Sequence, residues 1–257
     1  MSGRMLWLAD TARDAGLVVV EVDGWRTRGE ASMDPKGIIN HHTGVLAGGD
    51  LPSLTGLVKG RPDLAGPLCH YGLGRSGTVY VVASGKANHA GDGQWQGNTF
   101  LDHSREMVGI EAEHTGSPSD PWPEEQLEAY RMLDAAILRH IGQPTANLCG
   151  HKEWAQPPES TKDRKPDPVG IDMDEWRKSV DETLRRLELG EVNIGENVIV
   201  PGSDIGVNAP FANPFDWART MGIFTENTNP DSVVTSEEFA VFLDRYHRKV
   251  VVPNLRR

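Results

Sequence analysis

The side chains of this sequence that could hold a metal ion are a histidine pair, a later histidine and a later aspartate. His41 and His42 end an apolar run, His151 follows Gly150, and Asp167 lies between two prolines farther along the chain. Two imidazoles and one carboxylate make a three-ligand zinc shell with an open fourth position, which is typical of hydrolytic rather than structural zinc sites. The sequence therefore predicts a metal-dependent hydrolase.

The histidine pair leaves one choice open. Neighbouring side chains in a strand point to opposite faces, so His41 and His42 cannot both reach one metal ion easily. A pair at the end of a strand is more often one ligand and one packing residue than two ligands. Strand geometry alone does not decide which of the two is the ligand.

The elements that must position these residues alternate between strands and helices. Strands are predicted by β-branched or alternating apolar residues at positions 17–22, 37–42, 69–73, 79–83 and 107–113. Helices are predicted by apolar stripes at helical spacing over residues 5–15, 123–141 and 173–189. The Ser76-Gly77 turn predicts a hairpin between the third and fourth strands. We expect an α/β fold in which a central mixed β-sheet is flanked by helices.

Composition narrows the possible partners. The 257 residues carry a formal net charge of −11, which argues against nucleic acid and against docking by bulk charge on anionic membranes or wall polymers. The N-terminal residues lack the apolar core of a signal peptide, and no segment is apolar enough to span a bilayer. Cys69 and Cys149 form no CxxC motif and are expected to be buried free thiols, which fits synthesis in a reducing cytoplasm.

Several short motifs occur together over residues 5 to 185. They are Ile39-Asn40-His41-His42-Thr43, the hairpin from Cys69 to Val79, Asn88-His89-Ala90-Gly91, Gly109-Ile110-Glu111, Gly150-His151 and Lys165-Pro166-Asp167-Pro168. In this order the chain resembles the zinc-dependent N-acetylmuramoyl-L-alanine amidases, a family shared by phage lysins, bacterial muropeptide amidases and peptidoglycan recognition proteins. The resemblance implies a central sheet with helices on both faces.

The resemblance also implies roles for individual residues. It assigns His41, the first histidine of the pair, to a Zn²⁺ ion together with His151 and Asp167. Many members carry cysteine at the third position, whereas aspartate matches the muropeptide-amidase branch and many actinobacterial phage lysins. Glu111 is implied as general base and acid, and Lys165 as the cation that stabilises the oxyanion.

One departure from the family pattern concerns the proton shuttle. Several phage members carry a catalytic tyrosine just before the hairpin histidine, and Cys69 stands there in this chain. Tyr71 would share the face of Cys69 but does not align with that tyrosine. Strand alternation puts Glu111 and Glu113 on one face, and Glu113 is expected to be a structural or supporting residue. The resemblance to the branch with aspartate as third ligand assigns the shuttle to Glu111.

Three further residues are expected to line the substrate groove, namely His70, His89 and Trp95. For the two histidines the alternative, a hydrogen-bonded structural role, remains open.

The amino-acid composition of the sequence changes after Gly190. Residues 191–214 are rich in Gly, Asn and Pro and are predicted to be a linker that follows a catalytic domain over residues 1–190. Residues 215–257 are predicted to be a small helical segment, which weakly resembles one S-layer-homology repeat. It is either a wall-binding or association module, or a pair of helices packed on the catalytic domain.

These features together predict a peptidoglycan amidase that acts as a phage endolysin. It would be made in the host cytoplasm, released through a holin, and cut between N-acetylmuramic acid and L-alanine in the cell wall. One alternative is a cytoplasmic amidase that recycles anhydro-muropeptides. Another is a non-catalytic peptidoglycan-binding receptor, against which the complete ligand set with Glu111 and Lys165 argues.

Overall fold

A computed structural model describes residues 3–45, 48–91, 93–95, 103–154 and 165–190. The strands are β1 (Val19–Glu21), β2 (Gly37–His42), β3 (Gly60–Arg61), β4 (Leu64–Ala65), β5 (Tyr71–Leu73), β6 (Val79–Val81), β7 (Met107–Ala112) and β8 (Leu148–Gly150). The helices are α1 (Leu8–Asp14), α2 (Leu54–Lys59), α3 (His103–Glu106), α4 (Glu124–Ile141), α5 (His151–Trp154) and α6 (Met173–Leu189). The predicted linker and C-terminal helical segment lie outside the described residues.

Six strands form one mixed sheet in the order β1-β6-β5-β7-β2-β8, and β3 and β4 form a separate small hairpin. β5 and β6 pair antiparallel, as the predicted hairpin requires, and the other neighbours in the large sheet are parallel. β2 lies between β7 and β8. The predicted α/β fold with a central mixed sheet is confirmed. No helix in the described ranges is long and apolar enough to cross a membrane.

Both faces of β2 are covered. Ile38 belongs to the large core that also contains side chains of α1, α4 and α6, whereas Ile39 packs with Cys149 and Trp154 in a second cluster. Because adjacent residues of a strand face opposite sides, burial on both faces explains why this strand is an apolar run rather than an alternating one. The same alternation separates the two histidines at its end.

Helix α4 closes one face of the sheet. It starts after Pro123 and is capped at its C-terminus by Gly142, whose φ of 65° is the left-handed conformation that favours glycine. Its predicted apolar stripe is confirmed, with three members fully buried and two partly buried against the same core: Tyr130, Leu133, Ile137, Leu127 and Ile141. This helix therefore packs directly behind the strand that carries His41.

Candidate metal centre

Three predicted ligands converge at one edge of the sheet. His41 lies at the end of β2, His151 follows β8, and Asp167 lies in the loop before α6. β2 and β8 are parallel neighbours, with Asn40 opposite Gly150, so their carboxyl ends meet at the same edge. All three side chains are buried, and one donor atom from each lies within 4.8 Å of the others.

The donor atoms form a nearly equilateral triangle. His41 Nδ1 lies 2.9 Å from His151 Nδ1 and 3.1 Å from Asp167 Oδ2, and His151 Nδ1 lies 3.0 Å from the same oxygen. An imidazole nitrogen carries at most one proton and an ionised carboxylate carries none. Three simultaneous hydrogen bonds among these atoms are therefore impossible.

Hydrogen bonds on the far side of each ring fix which nitrogen is protonated. His151 Nε2 lies 2.9 Å from the carbonyl oxygen of Ala90, which only accepts, so His151 donates from Nε2. His89 Nε2 lies 3.2 Å from the Met107 carbonyl oxygen, so its Nδ1 is the acceptor for His41 Nε2 at 3.1 Å. In their neutral forms His41 and His151 therefore both present an unprotonated Nδ1 to the centre.

The charge states agree with this arrangement. Burial, together with the neighbouring His151, lowers the pKa of His41 to about 4, so its ring is neutral at physiological pH. Burial raises the pKa of Asp167, but contacts with His151 and His41 outweigh it and hold that pKa below its ordinary value. Two lone pairs and a carboxylate oxygen thus face one another, and a cation between them would satisfy all three. The donor set fits zinc, which takes imidazole and carboxylate ligands and leaves a fourth position open.

Local packing explains how His41 and His89 are held. The Tyr130 hydroxyl accepts from the His41 N–H and donates to the His41 carbonyl oxygen, both at 3.0 Å. A Cβ on Gly109 would lie 2.5 Å from Cγ of His89, so glycine is needed for the His89 ring to lie against β7. Gly109, the glycine of the Gly-Ile-Glu motif, therefore leaves the space that the His89 ring occupies behind the centre.

Glu111 lies beside the centre. It is opposite His41 in the β2–β7 register, and its Oε1 lies 4.0 Å from His41 Nδ1. Its Oε2 is buried and has no hydrogen-bond partner among the described residues, although 15% of the side chain is exposed. Burial and the charge of Asp167 raise the pKa of Glu111 well above its ordinary value, whereas the positive charge of Lys165 opposes the shift. Such a carboxyl group is suited to moving a proton.

Lys165 is half-buried and lies two residues before Asp167. Its charge lowers the pKa of both Glu111 and His41, although it is a minor influence on each. The positive charge of Lys165 is thus felt at Glu111 and His41, and its role at the oxyanion stays a prediction.

His42 points away from the cluster and supports the loop that carries Asp167. Its Nδ1 accepts from the Val169 N–H at 3.3 Å, and its ring lies edge-on to His114 with centroids 5.8 Å apart. The open choice within the histidine pair is thus decided by β2, which turns His41 toward the centre and His42 away from it.

Sequence reasoning missed Lys152, which ties two of the ligand-bearing segments together. Its N–H donates to the Asp167 carbonyl oxygen at 2.8 Å, and its ammonium donates to the carbonyl oxygens of Pro168 at 3.0 Å and Ile171 at 2.6 Å. In the sequence, Lys152 is marked only by its position directly after His151. A lysine next to a predicted ligand is usually a solvated surface residue, so this position alone does not predict its supporting contacts.

The competitors for the proton shuttle lie elsewhere. Glu113 accepts hydrogen bonds from Thr43 Oγ1 at 2.7 Å and from Ser53 Oγ at 3.0 Å, which is the structural role expected of it. The Tyr71 hydroxyl donates to the Leu8 carbonyl oxygen at 2.8 Å within the core. Cys69 is fully buried, and burial raises the pKa of its thiol well above the ordinary value, so it is a packing residue.

The predicted groove residues form hydrogen bonds within the fold. His70 is fully buried, burial lowers its pKa to about 3, and its Nδ1 accepts from the Gly109 N–H at 2.9 Å. The Trp95 indole donates to the Ala146 carbonyl oxygen at 2.6 Å, before β8 begins, and so lies toward the end of that strand opposite His151. The structure brings only His89 of the three into contact with a proposed ligand, and the groove role of all three stays a prediction.

A buried His-His-Asp cluster with a glutamate beside it is typical of metal-dependent hydrolases. A sequence model of the N-acetylmuramoyl-L-alanine amidase family matches residues 31–170, more than half of the chain. The chain therefore belongs to this family and is an N-acetylmuramoyl-L-alanine amidase, an enzyme that acts on peptidoglycan.

Solved structures with similar folds include amidases and endolysins. The catalytic domain of XlyA is 20% identical, with a TM-score of 0.47 over 64% of this chain and 99% of that one. The amidase LysC from Clostridium intestinale URNW is 18% identical, with a TM-score of 0.48 over 63% and 97% of the two chains. A selenomethionine derivative of AmpD is 21% identical, with a TM-score of 0.44 over 64% and 94%. No curated protein sequence matches the chain.

Proposed function

We propose that this amidase is a zinc enzyme and that it acts as a phage endolysin, which cuts between N-acetylmuramic acid and L-alanine in the wall of the host. The observation that carries the zinc assignment is the buried triangle of His41, His151 and Asp167, whose donor atoms lie 2.9 to 3.1 Å apart with no proton arrangement that satisfies them. Glu111 lies beside the same triangle, with its Oε1 4.0 Å from His41 Nδ1.

A bound zinc ion supplies Lewis acidity, which polarises an amide carbonyl and makes water a nucleophile at neutral pH. Glu111 takes a proton from the attacking water and returns it to the leaving nitrogen. Its buried Oε2 is available for this, because no residue that the structure describes forms a hydrogen bond with it. Lys165 supplies a positive charge for the oxygen that becomes negative in the transition state. His89 and the Ala90 carbonyl oxygen keep the two imidazoles in the tautomer that binds metal.

The endolysin role is supported by the sequence after Gly190. An enzyme for small soluble fragments has no need of a wall-directed segment, whereas residues 191–257 combine a Gly-, Asn- and Pro-rich stretch with a segment that weakly resembles an S-layer-homology repeat. The net charge of −11 disfavours docking on anionic wall polymers by bulk charge. A dedicated segment would then supply wall affinity, after synthesis in the host cytoplasm and release through a holin.

Parallel digestion of purified walls and of a soluble anhydro-muropeptide tests this proposal. We expect rapid loss of wall turbidity and new L-alanine amino termini by mass spectrometry, with Glu111→Gln as an inactive control that keeps the fold. Cleavage of the soluble fragment with intact walls left untouched would instead identify a recycling amidase. Metal content of the same samples separates the zinc assignment from the choice of biological role.

A further inference from the structure

A buried carboxyl group lies behind the metal centre, outside the catalytic residues. Asp134 is one helical turn after Tyr130 on α4, and it faces Asn40, the residue that precedes His41 on β2. Asp134 and Asn40 are 0% and 1% exposed. Tyr130 and Asp134 thus hold β2 to α4 at two consecutive residues.

The hydrogen bonds of this pair are distributed unevenly. Asn40 Nδ2 donates to Asp134 Oδ2 at 2.7 Å, and Trp176 Nε1 donates to the same oxygen at 2.8 Å. Asp134 Oδ1 and Asn40 Oδ1 are both buried without a hydrogen-bond partner among the described residues. Two unpaired acceptors in a closed, apolar site are costly, and a carboxylate whose donors all reach one oxygen is poorly solvated.

One proton on Oδ1 would resolve both deficits. We propose that Asp134 is a neutral carboxylic acid whose Oδ1–H donates to Asn40 Oδ1, which closes a cyclic acid–amide pair that positions the strand carrying His41. Oδ2 is then the carbonyl oxygen, and its two lone pairs accept from Asn40 and Trp176. The effect of this pair on metal binding rests on the proposed function, because it acts by positioning His41. The protonation state of Asp134 does not depend on the proposed metal site.

Within the described ranges, no charged side chain forms an ion pair or a hydrogen bond with the Asp134 carboxyl group. The groups that face Asp134 are all neutral, namely Asn40 from β2, Tyr130 from α4 and Trp176 from α6. The Arg131 side chain lies over the Trp176 ring, with its guanidinium carbon 5.8 Å from the ring centroid. Burial raises the pKa of Asp134 from 3.8 to about 7, and the hydrogen bonds from Asn40 and Trp176 offset this only in part. The acid is therefore neutral in the folded protein over a pH range in which it ionises in the unfolded chain.

This difference has a definite sign. Because the folded pKa is raised, the folded state holds a proton that the unfolded state has lost between pH 3.8 and about 7. Stability from this group is therefore greatest at low pH and decreases as pH rises through that window, by up to about tenfold in the unfolding constant per pH unit. Above the folded pKa the dependence ends.

Infrared spectroscopy and denaturant unfolding of the full chain test the proposal. Asp134→Asn replaces the O–H donor with an N–H donor and keeps both bonds of the pair. Glu128→Gln makes the same acid-to-amide substitution on the exposed face of α4. At a pH midway between the two pKa values, the wild type and Glu128→Gln, each isotope-labelled at aspartate, should show a carboxylic-acid C=O band that shifts with the label. Asp134→Asn should lack this band, whereas a band from Glu111 does not shift with the label. The ratio of unfolding constants between wild type and Asp134→Asn should rise with pH across the window.

The proposal is overturned by absence of the band in the wild type, by parallel pH profiles of wild type and Asp134→Asn, or by an Asp134→Asn protein that does not fold. Isotope labelling of aspartate in the wild type identifies the band without any variant. Neither measurement needs bound zinc or turnover, so failure here is distinguishable from failure of the proposed function.

Discussion

The hydrogen bond between His41 and His89 determines which nitrogen of His41 carries the proton and so keeps Nδ1 free to bind metal. His89→Ala removes this hydrogen bond. The Nε2–H of His41, now 3.1 Å from its acceptor, would then be buried without a partner, which costs about 1–3 kcal/mol. Alternatively the proton moves to Nδ1 and blocks the ligand atom. Since about 1.4 kcal/mol corresponds to tenfold in an equilibrium constant, zinc affinity should fall about 10- to 100-fold, the range typical of residues that orient metal-bound histidines.

Competition with a chromophoric chelator measures this change directly. His140→Ala is a matched control, because His140 stacks on Trp7 and contacts Thr11 at the end of α4 rather than the centre. His89→Gln should recover part of the affinity, since its amide oxygen is able to accept from His41. Equal zinc affinity in wild type and His89→Ala, with both proteins folded, would refute the reasoning from tautomers.

Three further expectations concern turnover and domain organisation. Glu111→Gln should keep zinc and fold but lose about 100- to 10,000-fold in rate, because glutamine neither takes nor returns a proton; wild-type rates would remove Glu111 from the mechanism. Lys165→Ala should lower kcat by about 100-fold with unchanged metal content, and a change confined to KM would indicate a binding role instead. A chain that ends after Gly190 should still fold and cleave a soluble muropeptide, because every proposed catalytic residue precedes the linker; loss of wall lysis alone would support a wall-binding module, whereas an unfolded product would contradict the proposed boundary.

Much of the fold follows from local sequence patterns. The bounds predicted for the strand at residues 37–42 and the helix at 173–189 agree with β2 and α6, because the apolar start of the strand and the apolar stripe of the helix are strong local signals. The small hairpin β3–β4 and the short helix α5 were not predicted. Elements of two to four residues carry too few positions for a periodic pattern to appear.

The centre could be predicted only in part, because its supporting contacts join residues that are distant in sequence. Alternation indicated that one histidine of the pair faces away, and the resemblance assigned His41 to the metal. The contacts of the folded chain show that His42 is the one that faces away, with its Nδ1 toward the Val169 N–H. The sequence suggested a groove role for His89, while the structure places it behind His41. The support that Lys152 and Asp134 provide depends on carbonyl and amide groups brought together by tertiary packing, for which the sequence has no local signal.

The zinc content of three purified variants tests the central claim most directly. Elemental analysis of the wild type should give one zinc ion per chain, His41→Ala and His151→Ala should lose it, and His42→Ala should retain it because His42 Nδ1 faces the Val169 N–H instead of the centre. Retention of zinc by His41→Ala together with its loss from His42→Ala would contradict the assignment of the metal centre.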